Sequence, residues 1–241
     1  MPKHLQIETI ETSIAILKSI ALKGNSTLDS IALDISEEKE ETKAYLNILE
    51  EAGFIRKINS ESYRLDYAAL KFADYTLHSL PAANISYKIC QHIVQTTNLN
   101  ASVGILRDRE LMCLNQKDVE KGRSFRFLPT LDLPLHATSL GCVLSWSQDK
   151  SECIKILKKS FKESNLQDES QKIFDEVDDS MEKYGIYWNT RNKEYKFSAA
   201  IQLTLEGEKA AIAVFSREKK WRITKIKSLL DECKEIALTE E

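Results

Sequence analysis

The sequence has no long apolar run. No stretch reaches the roughly 18 uninterrupted apolar residues that a membrane helix requires, and the N-terminal MPKHLQIETIETS lacks the apolar core of an export signal. We therefore expect no membrane segment and a cytoplasmic location. The 241 residues are 42% hydrophobic and 29% charged, which suffices for one large folded domain or two modest ones.

The chain also lacks the cysteine and histidine spacings of a disulfide framework or a metal site. The five cysteines are odd in number and form no C-x-x-C pair, which predicts reduced thiols. The four histidines are equally scattered, so we expect neither a metal nor a cofactor. Because the sequence shows no paired carboxylates and no nucleophile–base set, an enzyme is the least supported class of function.

The N-terminal part has no excess of positive charge. Residues 1–78 contain nine Lys/Arg and thirteen Asp/Glu, a net charge of −4, whereas residues 79–241 carry 25 and 24, a net charge of +1. If residues 1–78 bind DNA, they do so against their own net charge, and only a local basic patch can favour the contact.

The N-terminal part does contain three short helical patterns. Residues 7–22 repeat apolar residues at helical spacing, and Ser26 or Thr27 begins a second helix. Ser36 is a good cap for a third helix, whose first-turn glutamates would face the positive end of the helix dipole. One stripe of the third helix is formed by Thr42, Tyr45, Leu46, Leu49 and Ala52.

Two strand-like runs, FIRKI and SYRLD, follow the third helix and predict a β-hairpin. Three helices and then a hairpin is the order of a winged helix-turn-helix, which we assign to residues 1–66. Residues 67–79 predict a connector helix, and we place the domain boundary near residue 80.

The C-terminal part, residues 80–241, mixes helices with strands. A helix over 85–97 precedes the hairpin ASVGIL/LMCLNQ, two charged helices span about 150–183, and YKFSAAIQLTL and KAAIAVFSR form a strand pair before a last helix at about 224–237. Helices segregated from a mostly antiparallel sheet predict an α+β fold.

The segment LPLHATSLGCVL, residues 133–144, resembles the signature of IclR-type transcriptional regulators. The patterns LDSIALDIS and TKAYLNILEEAGFIRK are similar to that family's winged helix-turn-helix. The resemblance covers about residues 7–237. It implies an N-terminal domain that binds double-stranded DNA, a connector helix, and a GAF-like C-terminal domain that binds a small-molecule effector and assembles into homodimers or tetramers.

The resemblance also implies the DNA-facing residues, but this chain departs from the family there. In the family this place has a Gly-Leu turn and then a Pro-Lys-Ser-Thr-like run. Here only Lys39 matches that pattern well, and the positions around it are occupied by Glu37, Glu38, Glu40 and Glu41. Lys and Thr side chains can hold phosphates and Asn can pair with adenine. The basic hairpin residues either contact the phosphate backbone or form a solvated face, and Arg64 could instead brace the hairpin. The predicted DNA-binding residues are Thr27, Lys39, Thr42, Lys43, Asn47, Arg56, Lys57 and Arg64.

The effector pocket of the family lies over the helix that the signature opens. Its free N–H groups would suit an anionic ligand. On the opposite wall, Phe197, Ala213 and Phe215 replace small polar residues, so the pocket is either smaller and more apolar or filled by phenylalanine without a ligand. Which way these side chains point depends on strand register. The predicted effector-binding residues are Thr138, Ser139, Leu140, Gly141, Asn189, Phe197, Ala213 and Phe215.

Two residues of the signature permit a chemical or a structural interpretation. His136 stands without a nucleophile or carboxylate pattern, which favours a hydrogen-bonding structural residue over a catalytic one. Cys142 stands where many family members carry Lys. Its thiol would be reactive if its pKa were lowered, but a small buried core residue is the favoured interpretation.

The sequence therefore predicts an IclR-type regulator that binds DNA as a dimer and responds to an unidentified small molecule. The alternative is a degenerate member with weak or no DNA binding, which acts as a protein-interaction or dimerisation module. A stand-alone small-molecule sensor is a second alternative.

Overall fold

The computed structural model describes residues 3–59, 61–120, 122–128, 134–189, 191, 195–217 and 221–240. The chain divides into two compact units, Met1–Ser79 and Leu80–Glu241, called unit 1 and unit 2 below. Among the described residues, no helix has both the length and the hydropathy needed to cross a membrane.

Unit 1 follows the predicted order of three helices, a hairpin and a fourth helix. Its core is a single cluster in which Ile16 and Ile20 pack against Ile31, Leu46 and Tyr63. Burying side chains of this size contributes about 1.5–3 kcal/mol each. The elements are α1 (Lys3–Lys23), β1 (Ser26–Thr27), α2 (Leu28–Ile35), α3 (Lys39–Glu51), β2 (Ile55–Lys57), β3 (Ser62–Leu65) and α4 (Tyr67–Ser79).

The ends of α2 and α3 differ from the prediction. Ser36 does not cap α3. It ends α2 in the left-handed conformation, with φ 57°, and its backbone N–H donates to the carbonyls of Ala32 and Leu33. Glu38 occupies the N-cap of α3 and makes no side-chain capping bond, while Glu40 and Glu41 fall in the first turn. A polar turn of three residues between the helices therefore takes the place of a serine cap.

The predicted inner stripe of α3 is correct except at its end. Thr42, Leu46 and Leu49 are buried and Tyr45 is half-buried. Ala52 is exposed, because the helix ends at Glu51 and Ala52 is its C-cap.

Unit 2 is built on one antiparallel sheet of six strands in the order β6-β5-β4-β9-β8-β7. The α+β fold with a mostly antiparallel sheet flanked by helices is thus confirmed. The elements are α5 (Pro81–Thr97), β4 (Asn100–Arg107), β5 (Glu110–Asp118), β6 (Arg123–Leu128), a 3-10 turn (Leu135–Ala137), α6 (Ser139–Trp146), α7 (Lys150–Glu163), α8 (Ser170–Tyr184), β7 (Tyr187–Trp188), β8 (Phe197–Leu205), β9 (Glu208–Ser216) and α9 (Ile223–Glu240).

The sheet has two buried faces, each covered by its own helices. On one face, α5 and α9 pack on strand residues such as Val103, Ile201 and Ile212. On the other face, α6, α7 and α8 pack on Ala200 and Ala213. We call these the α5 face and the α6 face. Because side chains alternate along a strand, neighbouring residues of β8 and β9 belong to different cores.

Candidate functional site

A small cavity lies on the α6 face of unit 2, at the start of α6. Its volume is about 40 Å³, and strands β4, β5, β8 and β9 all contribute side chains to its wall. The segment that leads into α6 closes the other side. The cavity is lined by Ser102, Gln116, Ala137, Thr138, Ser139, Leu140, Tyr195, Ser198, Ala213 and Phe215.

The start of α6 is fixed by Thr138 and Gly141. Thr138 is the N-cap, and its Oγ1 accepts a hydrogen bond from the Gly141 backbone N–H at 2.9 Å. A Cβ atom on Gly141 would lie only 2.4 Å from the carbonyl oxygen of Leu135, so only glycine permits the 3-10 turn to fold back on the helix. This contact explains the Thr-x-x-Gly spacing of the segment that the sequence singled out. The first residue of that segment, Leu133, lies outside the described residues.

Three predicted effector residues do not reach the cavity. Phe197 faces the opposite way and packs against the α5-face core, because the residue that β8 turns toward α6 is its neighbour Ser198. Gly141 packs under Leu135. Asn189 is buried, and its side chain instead accepts from the Arg191 N–H and donates to Cys142 Sγ. The remaining five, Thr138, Ser139, Leu140, Ala213 and Phe215, line the cavity.

Four polar or aromatic lining residues were missed by the sequence reasoning: Ser102, Gln116, Tyr195 and Ser198. Ser102 and Gln116 are directly opposite each other in the β4–β5 ladder. Ser139 Oγ lies 2.7 Å from Ser198 Oγ. The alternation of side chains along each strand could have divided these residues into two sets, one for each face of the sheet. Only the pairing register decides which set faces α6.

The rim of the cavity carries a charged cluster around Arg217. Its guanidinium donates to Tyr195 Oη at 3.0 Å and to the carboxylates of Asp118 and Glu120. Burial by itself would raise the pKa of Glu120, but hydrogen bonds from Ser216 and Arg217 hold that pKa below its usual value. One cation thus meets two carboxylates, and Tyr195 is held between Arg217 and the edge of the Phe215 ring.

His136 is a structural residue in this fold. It is buried, its ring stacks on Phe161 with centroids 4.0 Å apart, and its Nδ1 lies 2.9 Å from Ser160 Oγ. Burial, together with the positive charge of Arg191, lowers the pKa of the imidazole. A neutral ring in an apolar stack fits the hydrogen-bonding role that the sequence favoured.

Cys142 is a core thiol. Burial raises its pKa to about 12, in spite of the opposing charge of Arg191. Because the thiolate is the reactive form, the interpretation as a reactive thiol at a helix start is wrong. Among the described residues, no group of three or more His, Cys, Asp or Glu side chains could hold a metal ion.

The surface of α3 and of the turn before it presents acids beside three predicted DNA-binding residues. Lys39, Lys43 and Asn47 are exposed, as are Glu37, Glu40 and Glu41. Thr42 does not face outward, because its side chain is fully buried and its Oγ1 donates to the Glu38 carbonyl at 2.8 Å. Its place among the DNA-facing residues is therefore a wrong prediction.

Lys39 and Thr27 take part in local contacts of unit 1. Lys39 is paired with Asp29 at 2.9 Å, with both side chains largely exposed. Thr27 caps α2 by accepting from the Ser30 N–H at 3.2 Å. Both residues remain on the surface, so these contacts leave them accessible to a partner.

The basic residues of the hairpin are divided between its two faces. Arg56 and Arg64 are directly opposite each other across β2 and β3, and Arg56 lies 3.9 Å from Asp66. Both arginines border a pocket of about 370 Å³ together with the end of α1 and the start of α4. Lys57 is paired with Tyr63 on the other face, its Nζ 5.8 Å from the ring centroid. The hairpin therefore has no single basic face.

For the N-terminal part of the chain, the comparison with family models and the comparison with solved structures find different families. Residues 3–76 match the model of the C-terminal domain of competence protein CoiA. No curated protein sequence matches the chain.

Among solved structures, an IclR family transcriptional regulator from Brucella abortus superposes with a TM-score of 0.75 at 14% identity, over 97% of this chain and 92% of that one. An IclR transcriptional regulator from Alicyclobacillus acidocaldarius gives 0.73 at 14%, over 97% of each chain. An IclR homolog from Microbacterium hydrocarbonoxydans, complexed with 4-hydroxybenzoate, gives 0.71 at 12%, over 96% and 98%. Over nearly its whole length, the chain has the fold of IclR-type regulators.

Proposed function

We propose that this protein is a DNA-binding transcriptional regulator that responds to a small molecule. Unit 1 binds double-stranded DNA as a winged helix-turn-helix, and the cavity at the start of α6 binds the effector. The observation that carries the proposal is that the likeness to IclR-type regulators extends over both units. Because one fold can serve many functions, the function depends on the surface of unit 1 and on the cavity of unit 2.

The DNA-facing surface would be α3 with its neighbours. Lys43 and Asn47 project from α3, Lys39 stands at its first turn and Thr27 at the start of α2. A lysine and an asparagine suit a phosphate and an adenine edge. The exposed glutamates oppose the approach of phosphate, which predicts weak non-specific binding. Specificity would then come from base contacts, including glutamate accepting from a cytosine amino group.

A homodimer is supported by the apolar surface of α1 and α4. Ile14 of α1 is 47% exposed, and Leu70 and Tyr75 of α4 are 64% and 68% exposed. Several large apolar side chains exposed on two helices of one small unit are typical of an interface. A second copy of the chain would cover them and would bring two α3 helices to two half-sites, about 34 Å apart for one turn of DNA.

The effector would act through this dimer. A ligand that binds one arrangement of the dimer better than another shifts the population toward it. The spacing of the two α3 helices then matches or fails to match the half-sites. Such a regulator works where the DNA is, in the cytoplasm, and needs neither a metal nor a cofactor.

The decisive experiment is a fluorescence-anisotropy titration of the full chain with duplexes from the region upstream of its own gene, at low salt. We expect one sequence to bind at least about 10³-fold more tightly than random duplex, as specific regulators do. A K43A/N47A variant should lose this preference, whereas K162A on the exposed end of α7 should retain it.

The acidic surface of α3 favours a second candidate function, a protein-interaction or dimerisation module without DNA binding. If no duplex binds more tightly than random DNA while the chain remains dimeric, the regulator proposal fails and this second function is favoured.

A further inference from the structure

The cavity at the start of α6 is too small for most metabolites. A buried water needs about 10–15 Å³ of cavity volume, so a cavity of 40 Å³ holds about three water molecules. Tyr195 and Phe215 limit the cavity on one side, and the Tyr195 ring is fixed between Phe215 and Arg217. A ligand that fits without moving this wall has only a few heavy atoms.

Two polar side chains that have no hydrogen-bond partner among the described residues face each other in the wall. Ser102 is only 3% exposed, and its hydroxyl makes no hydrogen bond within the described part of the chain. Gln116 lies directly opposite on β5, and its amide is likewise without a partner there. A molecule in the cavity that both donates and accepts would pair with both side chains.

The start of α6 supplies further donors. Ser139 and Leu140 are the first two residues of α6 and line the cavity. No hydrogen bond from either backbone N–H is found among the residues that the structure describes. These N–H groups suit an oxygen acceptor, as the first turn of any helix does.

The charges disfavour an ionised ligand. The side chains that line the cavity in the described part of the chain are uncharged. A carboxylate would therefore find no cationic partner among them, and an unpaired buried charge costs several kcal/mol. Arg217, beside Tyr195, is bound to the carboxylates of Asp118 and Glu120, so its charge is already engaged. A neutral carbonyl oxygen can use the α6 donors without this cost.

We propose that the cavity binds a small uncharged carbonyl compound of the primary-amide or urea class. Its oxygen accepts from the N–H groups of Ser139 and Leu140, and its NH₂ group bonds to Ser102 and Gln116. This inference rests on the proposed function, since it names the chemical class of the effector. The ligand differs in size and charge from the 4-hydroxybenzoate in the Microbacterium structure.

The test uses isosteric probes that differ only in charge. Acetamide and acetate, and propionamide and propionate, are titrated into the ¹⁵N-labelled full chain, with urea and benzamide as further probes. The amide signals of Ser139, Leu140 and Gln116 are followed by NMR. We expect saturable shifts with acetamide or urea, at least about 10-fold weaker binding of acetate, and no shift with benzamide.

Variants assign the contacts. Q116M removes the amide at similar volume, and S102A removes the hydroxyl, so each should weaken acetamide binding about 10-fold. Q171M on the exposed start of α8 is the control and should bind as the unchanged chain does. Circular dichroism and thermal unfolding establish that each variant is folded.

Three results would overturn the inference: acetate binding as tightly as acetamide, the absence of a saturable shift with every neutral probe, or unchanged acetamide binding by Q116M. None of these three results changes the outcome of the DNA titration. Sequence-specific DNA binding together with acetate binding would leave the regulator standing and reject only the ligand class. Loss of sequence-specific DNA binding with acetamide still bound would reject the regulator alone.

Discussion

Ser139 Oγ lies 2.7 Å from Ser198 Oγ, so a single hydrogen bond joins the first residue of α6 to strand β8. Both serines are buried, and both line the cavity. The contact that fixes the helix start on the sheet is therefore also part of the proposed binding site.

Replacing Ser198 by alanine should lower the free energy of unfolding by about 1 kcal/mol, because a buried hydroxyl of Ser139 loses its partner. Urea unfolding measures the change. S145A is the matched control. The Ser145 Oγ, on the same helix, is buried without a partner in the described structure, so its removal should not destabilise the protein. Equal losses in the two variants would mean that the serine pair contributes nothing specific.

Exchanging Glu40 for Ser and Glu41 for Thr should strengthen non-specific DNA binding and steepen its salt dependence. Both residues are exposed in the first turn of α3, and removing their charge removes repulsion of phosphate. Anisotropy titrations with random duplex at several salt concentrations give both quantities. The exposed Glu182 of α8 serves as the control in an E182S variant. If the double variant behaves as the unchanged chain does, this surface does not meet DNA.

Placing a charge on α4 should separate the proposed dimer. Leu70 is 64% exposed on that helix, and L70E would put a carboxylate into the apolar interface, where burying an unpaired charge is costly. Light scattering after size-exclusion chromatography should change from the mass of two chains to that of one. L166E, at an exposed apolar site of unit 2, should remain dimeric. A monomeric L166E together with a dimeric L70E would place the interface elsewhere.

Acidification from about pH 7 to pH 5 should destabilise unit 2 through His136. The folded-state pKa of this imidazole is lowered, by burial first and by Arg191 second. The unfolded chain therefore binds a proton more readily, so stability is full above the usual pKa of about 6.5 and declines as the pH falls below it.

The variant H136F keeps the stack on Phe161 and removes the titrating group. Thermal midpoints measured across this pH range should fall less steeply for H136F than for the unchanged chain. Parallel slopes for the two proteins would exclude His136 as the cause.

Element type could be predicted well from the sequence because helical and strand periods are local properties. A helix was predicted at 67–79, and α4 spans Tyr67–Ser79. The strand pair after residue 195 is formed by β8 and β9, with the turn at Glu206 and Gly207. The resemblance also implied a helix that opens at the signature, and the contact that fixes its first turn, between Thr138 and Gly141, is equally local.

The wrong predictions concern positions where the local sequence allows two conformations of similar energy. Ser36 could end one helix or begin the next. In the structure it ends α2, in the left-handed conformation. Phe197 and Ser198 could each have faced α6. Pairing of Ser198 with Phe215 turned the serine inward and Phe197 toward α5. Such choices depend on strands and helices far away in the sequence.

The sequence by itself determined the helices and strands, the α+β class and the glycine in the first turn of α6, because periodicity, capping and backbone freedom act between neighbouring residues. Only the tertiary structure decided which side chains share the cavity, why Thr42 is buried and how Arg56 meets Arg64. A shift of one residue in the register of a strand moves every side chain to the opposite face of the sheet. That register is set by packing across the whole sheet.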